Sequence, residues 1–318
     1  MLTAFSLLLA VVTALLLIAG LFGLREIRSI REMGRKADKV VHDAEEVLDE
    51  LRGKIAGIDK RMDSMVEVSY LFNQGEHAYR DGEFAKAVDY LSRAATLDPQ
   101  NPRVLYRLGR SLTNLGDDIA APERFKEMQR LEPSEHLGDA ERGLALVYRY
   151  TNPGLALQYA EQATAIAPES HRNWNTLGLI LRDTGDIDRA YAAHQRAAEF
   201  DANSAVTPFY RALLLAHRGS NGPAVEECRL AARRVEIQSR LTPIKSLWAA
   251  IIMWSHAILR DEYADADGFT LQLADACTSR RRAREIGGHM DFLLRALGKD
   301  EHRNRYLGRI EARWPPLH

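Results

Sequence analysis

One spacing constrains this chain more than any other feature. Between Gly75 and Ala231 a single pattern returns five times at a period of 34 or 35 residues. Its first position falls at Gly75, Gly109, Gly143, Gly178 and Ala212, in steps of 34, 34, 35 and 34. A second small residue keeps the same rhythm at Ala87, Ala121, Ala156, Ala190 and Ala224, and a third series runs Ala94, Met128, Ala163, Ala197 and Ala231. Pro99, Pro133 and Pro168 close successive units, with Ala202 in the next such place. A fixed period of this length means a stack of similar units, none able to bury its apolar face alone. The chain is expected to be a solenoid.

Within the fourth unit, Trp174, Leu177, Gly178 and Leu181 share one stripe of a first helix. Gly185 and Asp186 interrupt it, because glycine readily takes the left-handed conformation that ends a helix. A second helix then runs from about Ile187 to Phe200 with Ala190 and Ala197 on its inner side. Small residues at Gly178, Ala190 and Ala197 let the paired backbones approach, while Trp174 and Leu177 fill the remaining volume. This pattern resembles the tetratricopeptide repeat (TPR). The likeness departs from the family pattern at Pro208, which stands where the fifth repeat would carry tryptophan.

The resemblance implies an all-α solenoid of about five to six helix pairs. Five repeats occupy 67–235, and a degenerate repeat with capping helices occupies 236–318. It further implies a concave groove lined by the first helices, which binds protein partners. The positions turned into that groove are Tyr79 and Arg80; Arg103, Tyr106, Arg107, Arg110 and Asn114; Arg172, Asn175, Arg182 and Asp183; and Phe209 and Tyr210. Arginine offers a fork of donors suited to carboxylates, and aromatics supply rigid contact area. The expected partner is therefore an acidic segment of another protein. Glu76 stands where TPR clamps for chaperone tails carry asparagine, so such tails are not the expected ligand.

The flanks add further expectations. Residues 1–24 contain no charged side chain, and about 20 apolar residues suffice to span a bilayer as a helix. This reading makes 1–24 a transmembrane anchor, with Arg25, Arg28, Arg31, Arg35, Lys36 and Lys39 placing the remainder in the cytoplasm, at a bacterial inner membrane. Over 25–66 a heptad follows. Its a positions are Ile27, Gly34, Val41, Leu48, Ile55 and Met62, and its d positions are Ile30, Ala37, Ala44, Leu51, Ile58 and Met65. Such a register predicts a coiled-coil stalk of about 60 Å and self-association. Val40 and Val47 widen the seam at g positions, and Lys54 at g would face Asp59 at e of a partner helix. After Ala231 the pattern dissolves. Lys245 to Arg260 reads as a buried, degenerate first helix followed by one near Phe269 to Cys277. Two last helices, about Arg280 to Leu297 and Asp300 to Arg313, are expected to close the stack before Trp314, Pro315 and Pro316.

Catalytic chemistry finds no foothold in the sequence. Asp261, Glu262, Asp265, Asp267 and Gly268 fail as a calcium loop, because Ala274 falls where the last glutamate belongs. Cys228 and Cys277 lack metal-ligand spacing, the histidines are scattered, and no phosphate loop or nucleophile motif occurs. No enzyme activity, metal or cofactor is expected. From Arg280 onward ten arginines and lysines face five acids, yet without interleaved aromatics nucleic acid is not an expected partner. The layout resembles lipopolysaccharide-assembly TPR proteins, without their four-cysteine module. A membrane-anchored scaffold follows as the first reading. A periplasmic chaperone or assembly factor, or a regulatory subunit of an envelope-biogenesis enzyme, remains open beside it.

Overall fold

A computed structural model of the chain describes residues 2–22, 24–131, 138–241 and 247–314. Pro133, Lys245, Pro315 and Pro316 lie outside the described residues, as do the side chains of Arg25, Ile27, Arg28, Ile30, Arg31 and Asp59. The described elements are helical: α1 Leu2–Phe22, α2 Leu24–Arg80, α3 Phe84–Leu97, α4 Pro102–Leu115, α5 Ala120–Arg130, α6 Asp139–Tyr148 and α7 Pro153–Ile166. They continue as α8 His171–Asp183, α9 Ile187–Phe200, α10 Val206–His217, α11 Asn221–Leu241, α12 Leu247–Leu259, α13 Tyr263–Ala276, α14 Arg280–Ala296 and α15 Arg303–Arg313. Two compact units, Met1–Val66 and Glu67–His318, divide the chain.

In the first unit, α1 corrects the membrane expectation. Among the described residues no helix is long and apolar enough to cross a membrane, so neither the transmembrane anchor nor the single-pass inner-membrane placement stands. The heptad stretch of α2 is helical, and its apolar residues are open to solvent: Val41, Leu48, Leu51, Ile55, Ile58, Met62 and Met65 are each about half exposed or more.

The second unit is the solenoid. The last turns of α2 pack on α3, with Ala78 beside Ala87 and Leu91 and Leu71 beside Ala94; the pairs α4–α5, α6–α7, α8–α9, α10–α11 and α12–α13 follow, each stacked on its neighbour. Helix starts are written locally. Pro102 and Pro153 sit where no amide partner is needed, and Asn101, Asn152, Ser170 and Asp186 accept from a backbone amide three residues on. Gly116 and Gly185 end first helices with φ of 90° and 87°, conformations that side chains disfavour. Ala87, Ala121, Ala156, Ala190 and Ala224 are all 0% exposed. The glycine column works by contact. A Cβ at Gly75 would strike Leu91, at Gly109 and at Gly143 it would strike the Phe125 ring, and at Gly178 it would strike His194.

The sixth pair exists, although α13 begins at Tyr263, ahead of the expected Phe269. The two last helices differ in their placement. α15 packs on α13 and α14 at the end of the stack, but α14 turns back across first helices, against α4, α10 and α12. Ile286, Met290, Leu293 and Leu294 of α14 are all 0% exposed and join the largest hydrophobic cluster with Trp254 and Tyr306. Periodicity could not foresee this, because α14 is apolar on one stripe whether it caps a stack or lies across it.

Candidate partner-binding groove

The first helices present the expected arginines and tyrosines, and the structure places them in three different situations. The first is a polar knot between repeats one and two. Tyr79 Oη accepts from Asn114 Nδ2 at 3.1 Å and from Arg110 at 3.4 Å. Arg107 lies 4.6 Å from the centre of the Tyr79 ring and pairs with Glu76. Burial pushes the Tyr79 phenol up, but the guanidiniums of Arg110, Arg107 and Arg282 outweigh it and hold it below its usual value. Tyr106, half-buried, stacks edge-on to Phe125 and under Arg142. These side chains bind one another across adjacent repeats.

The second situation lies deeper, where α14 crosses α6, α8 and α10. Arg149 pairs with Asp183 at 2.5 Å and with Glu285 of α14 at 3.7 Å. Arg182 donates to Asp183 and, at 2.7 Å, to Nδ1 of His289 on α14. Burial raises the Asp183 carboxyl, yet Arg182 and Arg149 outweigh it and leave it below the ordinary carboxylate range. His289 is packed among Phe209, Tyr210 and Trp248, and burial drives its imidazole well below the usual value, so it is neutral. Asn175 faces inward, donating to Thr207 and meeting His194 at 2.9 Å. Phe209 and Tyr210 are 0% and 4% exposed. In this half the groove is occupied by the chain's own helix. Burying Ile286, Met290, Leu293 and Leu294 is worth about 6–12 kcal/mol at roughly 1.5–3 each, against couplings of about 1–3 kcal/mol typical of a ligand switch. α14 is therefore part of the core.

The third situation is open surface: Arg80, Arg103 and Arg172 are exposed. Arg103 leans over Phe72 at 5.1 Å, and Arg80 donates to the Glu76 carbonyl of its own helix. Arg149, Glu285, His289 and His194 escaped the sequence reading, since nothing in a repeat pattern says which residues a later helix will meet. Arg281 pairs with Asp118 at 3.0 Å and also donates to the Leu146 carbonyl, so part of the arginine cluster at the start of α14 is spent inside the fold. Among the described residues no group of three or more His, Cys, Asp or Glu is placed to hold a metal.

Comparison with known proteins agrees with this architecture. Tetratricopeptide-repeat family models match residues 68–101 and 171–204, which supports the TPR superfamily. Tetratricopeptide repeat protein 7B of Homo sapiens is 27% identical over 128 residues, 40% of this chain and 15% of that protein, and its Mus musculus counterpart matches to the same extent. The matched region thus spans 15% of the length of those curated relatives. A thermophilic TPR protein of Thermus thermophilus superposes with a TM-score of 0.50 at 20% identity, over 63% of this chain and 98% of its own. The APC/C hetero-tetramer Cut9–Hcn1 gives 0.54 at 13% identity, over 76% of this chain and 46% of that one. At these identities the likeness shows the fold. TPR proteins are protein-interaction scaffolds, and the repeat fold is typically non-catalytic.

Proposed function

We propose that this chain is an interaction scaffold that recognises an acidic segment of a partner protein along the exposed edge of its first helices. The observation that supports this is a set of cations left over from the fold. Arg80, Arg103 and Arg172, on repeats one, two and four, stand exposed with no carboxylate paired to them among the described residues. Exposed guanidiniums keep their full capacity for a bidentate acceptor. Arg107, Arg110 and Arg182 instead serve as internal braces. The test is photo-crosslinking from position 103 in cells, repeated with Arg80 and Arg172 reversed to glutamate. A protein captured by the first and lost from the second supports the reading; equal capture by both would sink it.

A second reading concerns α2. Its exposed heptad face, Leu48, Leu51, Ile55, Ile58, Met62 and Met65, favours a second copy of the same helix as its cover, because a seven-residue apolar register is the pattern that two supercoiled helices bury. Sedimentation of the full chain checks this. Paired Leu48→Glu and Ile55→Glu changes are expected to convert an oligomer to a monomer, and a monomeric unaltered chain would rule the reading out.

A further inference from the structure

Beside α14 lies a cleft of about 590 Å³ that the groove reading does not use. Its walls come from distant parts of the second unit: Leu115 at the end of α4 and Asp118 in the turn after it, Tyr150 and Thr151 beyond α6, α14 itself, and α15 with Trp314. The volume is in the range of small-ligand and peptide pockets. Four arginines reach it, and their circumstances differ. Arg281 is held by Asp118, and Arg303 by Asp291 at 2.7 Å. Arg280 and Arg284, one helical turn apart on α14, carry no carboxylate partner among the described residues. Arg284 holds its guanidinium carbon 4.3 Å from the centre of the Tyr150 ring, a cation–π contact that uses none of its N–H donors.

Two glycines line the cleft. Gly287 and Gly288 follow one another on α14 and offer backbone alone; a Cβ on Gly288 would meet nothing within 4 Å, and one on Gly287 Leu307 at 3.7 Å. Glycine inside a helix costs about 0.5–1 kcal/mol relative to alanine. The repeat glycines Gly109 and Gly143 meet the Phe125 ring, whereas Gly288, like Gly222, Gly268 and Gly308, leaves open space, and of these four it alone lines the cleft. The space that Gly287 and Gly288 leave is backed by Leu307, Ile310 and Trp314.

We propose that this cleft binds a short acidic segment of a partner protein. A carboxylate would sit on Arg280 and Arg284, and a neighbouring apolar side chain would lie over Gly287 and Gly288 against Leu307 and Trp314. This proposal rests on the protein-interaction reading above but on a different surface. A nucleic-acid backbone is a poorer fit, because only two cations are unspent and Asp118, Asp291 and Glu311 line the same walls.

The test uses the full chain and a short fluorescein-labelled peptide alternating Glu with Leu, followed by fluorescence anisotropy. Binding is expected for the unaltered protein. A loss of tenfold or more is expected when glutamines replace the peptide's glutamates, because a hydrogen bond to a charged group contributes more than one between neutral groups. The Arg280→Glu with Arg284→Glu variant, and separately Gly288→Leu, are each expected to lose at least tenfold. Gly288→Leu fills the cleft while improving helix propensity, so circular dichroism should show an intact fold. No binding to the unaltered chain, equal binding of the glutamine peptide, or an undiminished Gly288→Leu would each overturn the proposal. The photo-crosslinking at position 103 reads the other surface, so either result can fail while the other stands.

Discussion

His194 allows a sharp test of how this solenoid is packed. It is 0% exposed on α9, stacked 4.7 Å from Tyr210, and its Nε2 sits where a Cβ on Gly178 would have to go. Nδ1 lies 2.9 Å from Asn175 Oδ1, an acceptor, so Nδ1 carries the proton. Nε2 is buried with no partner among the described residues. Charging it would place a cation in the core near Arg182 and Arg211, and burial, reinforced by those two, depresses the imidazole to about 3. In the unfolded chain the same group titrates near about 6.5. Between those values the unfolded state binds the proton and the folded state does not, so stability rises with pH in that window. The contribution is complete above about pH 6.5 and is lost as pH falls toward 3. At about 1.4 kcal/mol per pH unit, roughly 2 kcal/mol disappears between about pH 6.5 and 4.5, a sizeable share of a marginal stability of about 5–15 kcal/mol. His194→Asn keeps a donor near the Nδ1 position and removes the titration. Urea unfolding at a series of pH values should give the variant a slope shallower by about one proton over that window, although it starts less stable for want of the ring. Parallel slopes for variant and unaltered chain would refute the buried, neutral assignment.

Other perturbations probe the remaining structure. Gly143→Ala should destabilise by about 2 kcal/mol in urea unfolding, since its methyl meets the fully buried Phe125 ring, which Gly109 also abuts; the overpacking of about 3 exceeds the helix-propensity gain of about 1. Gly288→Ala, meeting nothing, should stabilise by about 0.5–1 kcal/mol in the same assay, and equal effects at the two glycines would undo the packing argument. Asp183→Ala leaves Arg182, at 4% side-chain exposure, without its carboxylate and Arg149, at 5%, with Glu285 alone, and should cost about 3–5 kcal/mol in urea unfolding. Met290→Ala should cost about 2–5 kcal/mol; near-neutral behaviour in thermal unfolding would mean that α14 is not part of the core.

The sequence alone determined the repeating part of this protein, and the reason is local. Gly75, Gly109, Gly143 and Gly178 each face a ring or side chain of an adjoining second helix, and Ala87, Ala121, Ala156, Ala190 and Ala224 are fully buried, so a fixed spacing carries the packing. Caps such as Asn101 with Pro102 and Ser170 are equally local and equally legible. The membrane span expected at 1–24 is not met, because among the described residues no helix is long and apolar enough to cross a membrane. Which arginines stay free was beyond the sequence. Arg107 and Arg182 look alike in the chain, yet one meets Glu76 of the preceding repeat and the other meets His289, 107 positions away. Only the tertiary structure decided that α14 crosses the first helices, consuming Arg149, Arg182 and Arg281 and opening the cleft over Gly287 and Gly288. A helix's amphipathic stripe specifies that it must be covered, and long-range packing chooses the surface that covers it.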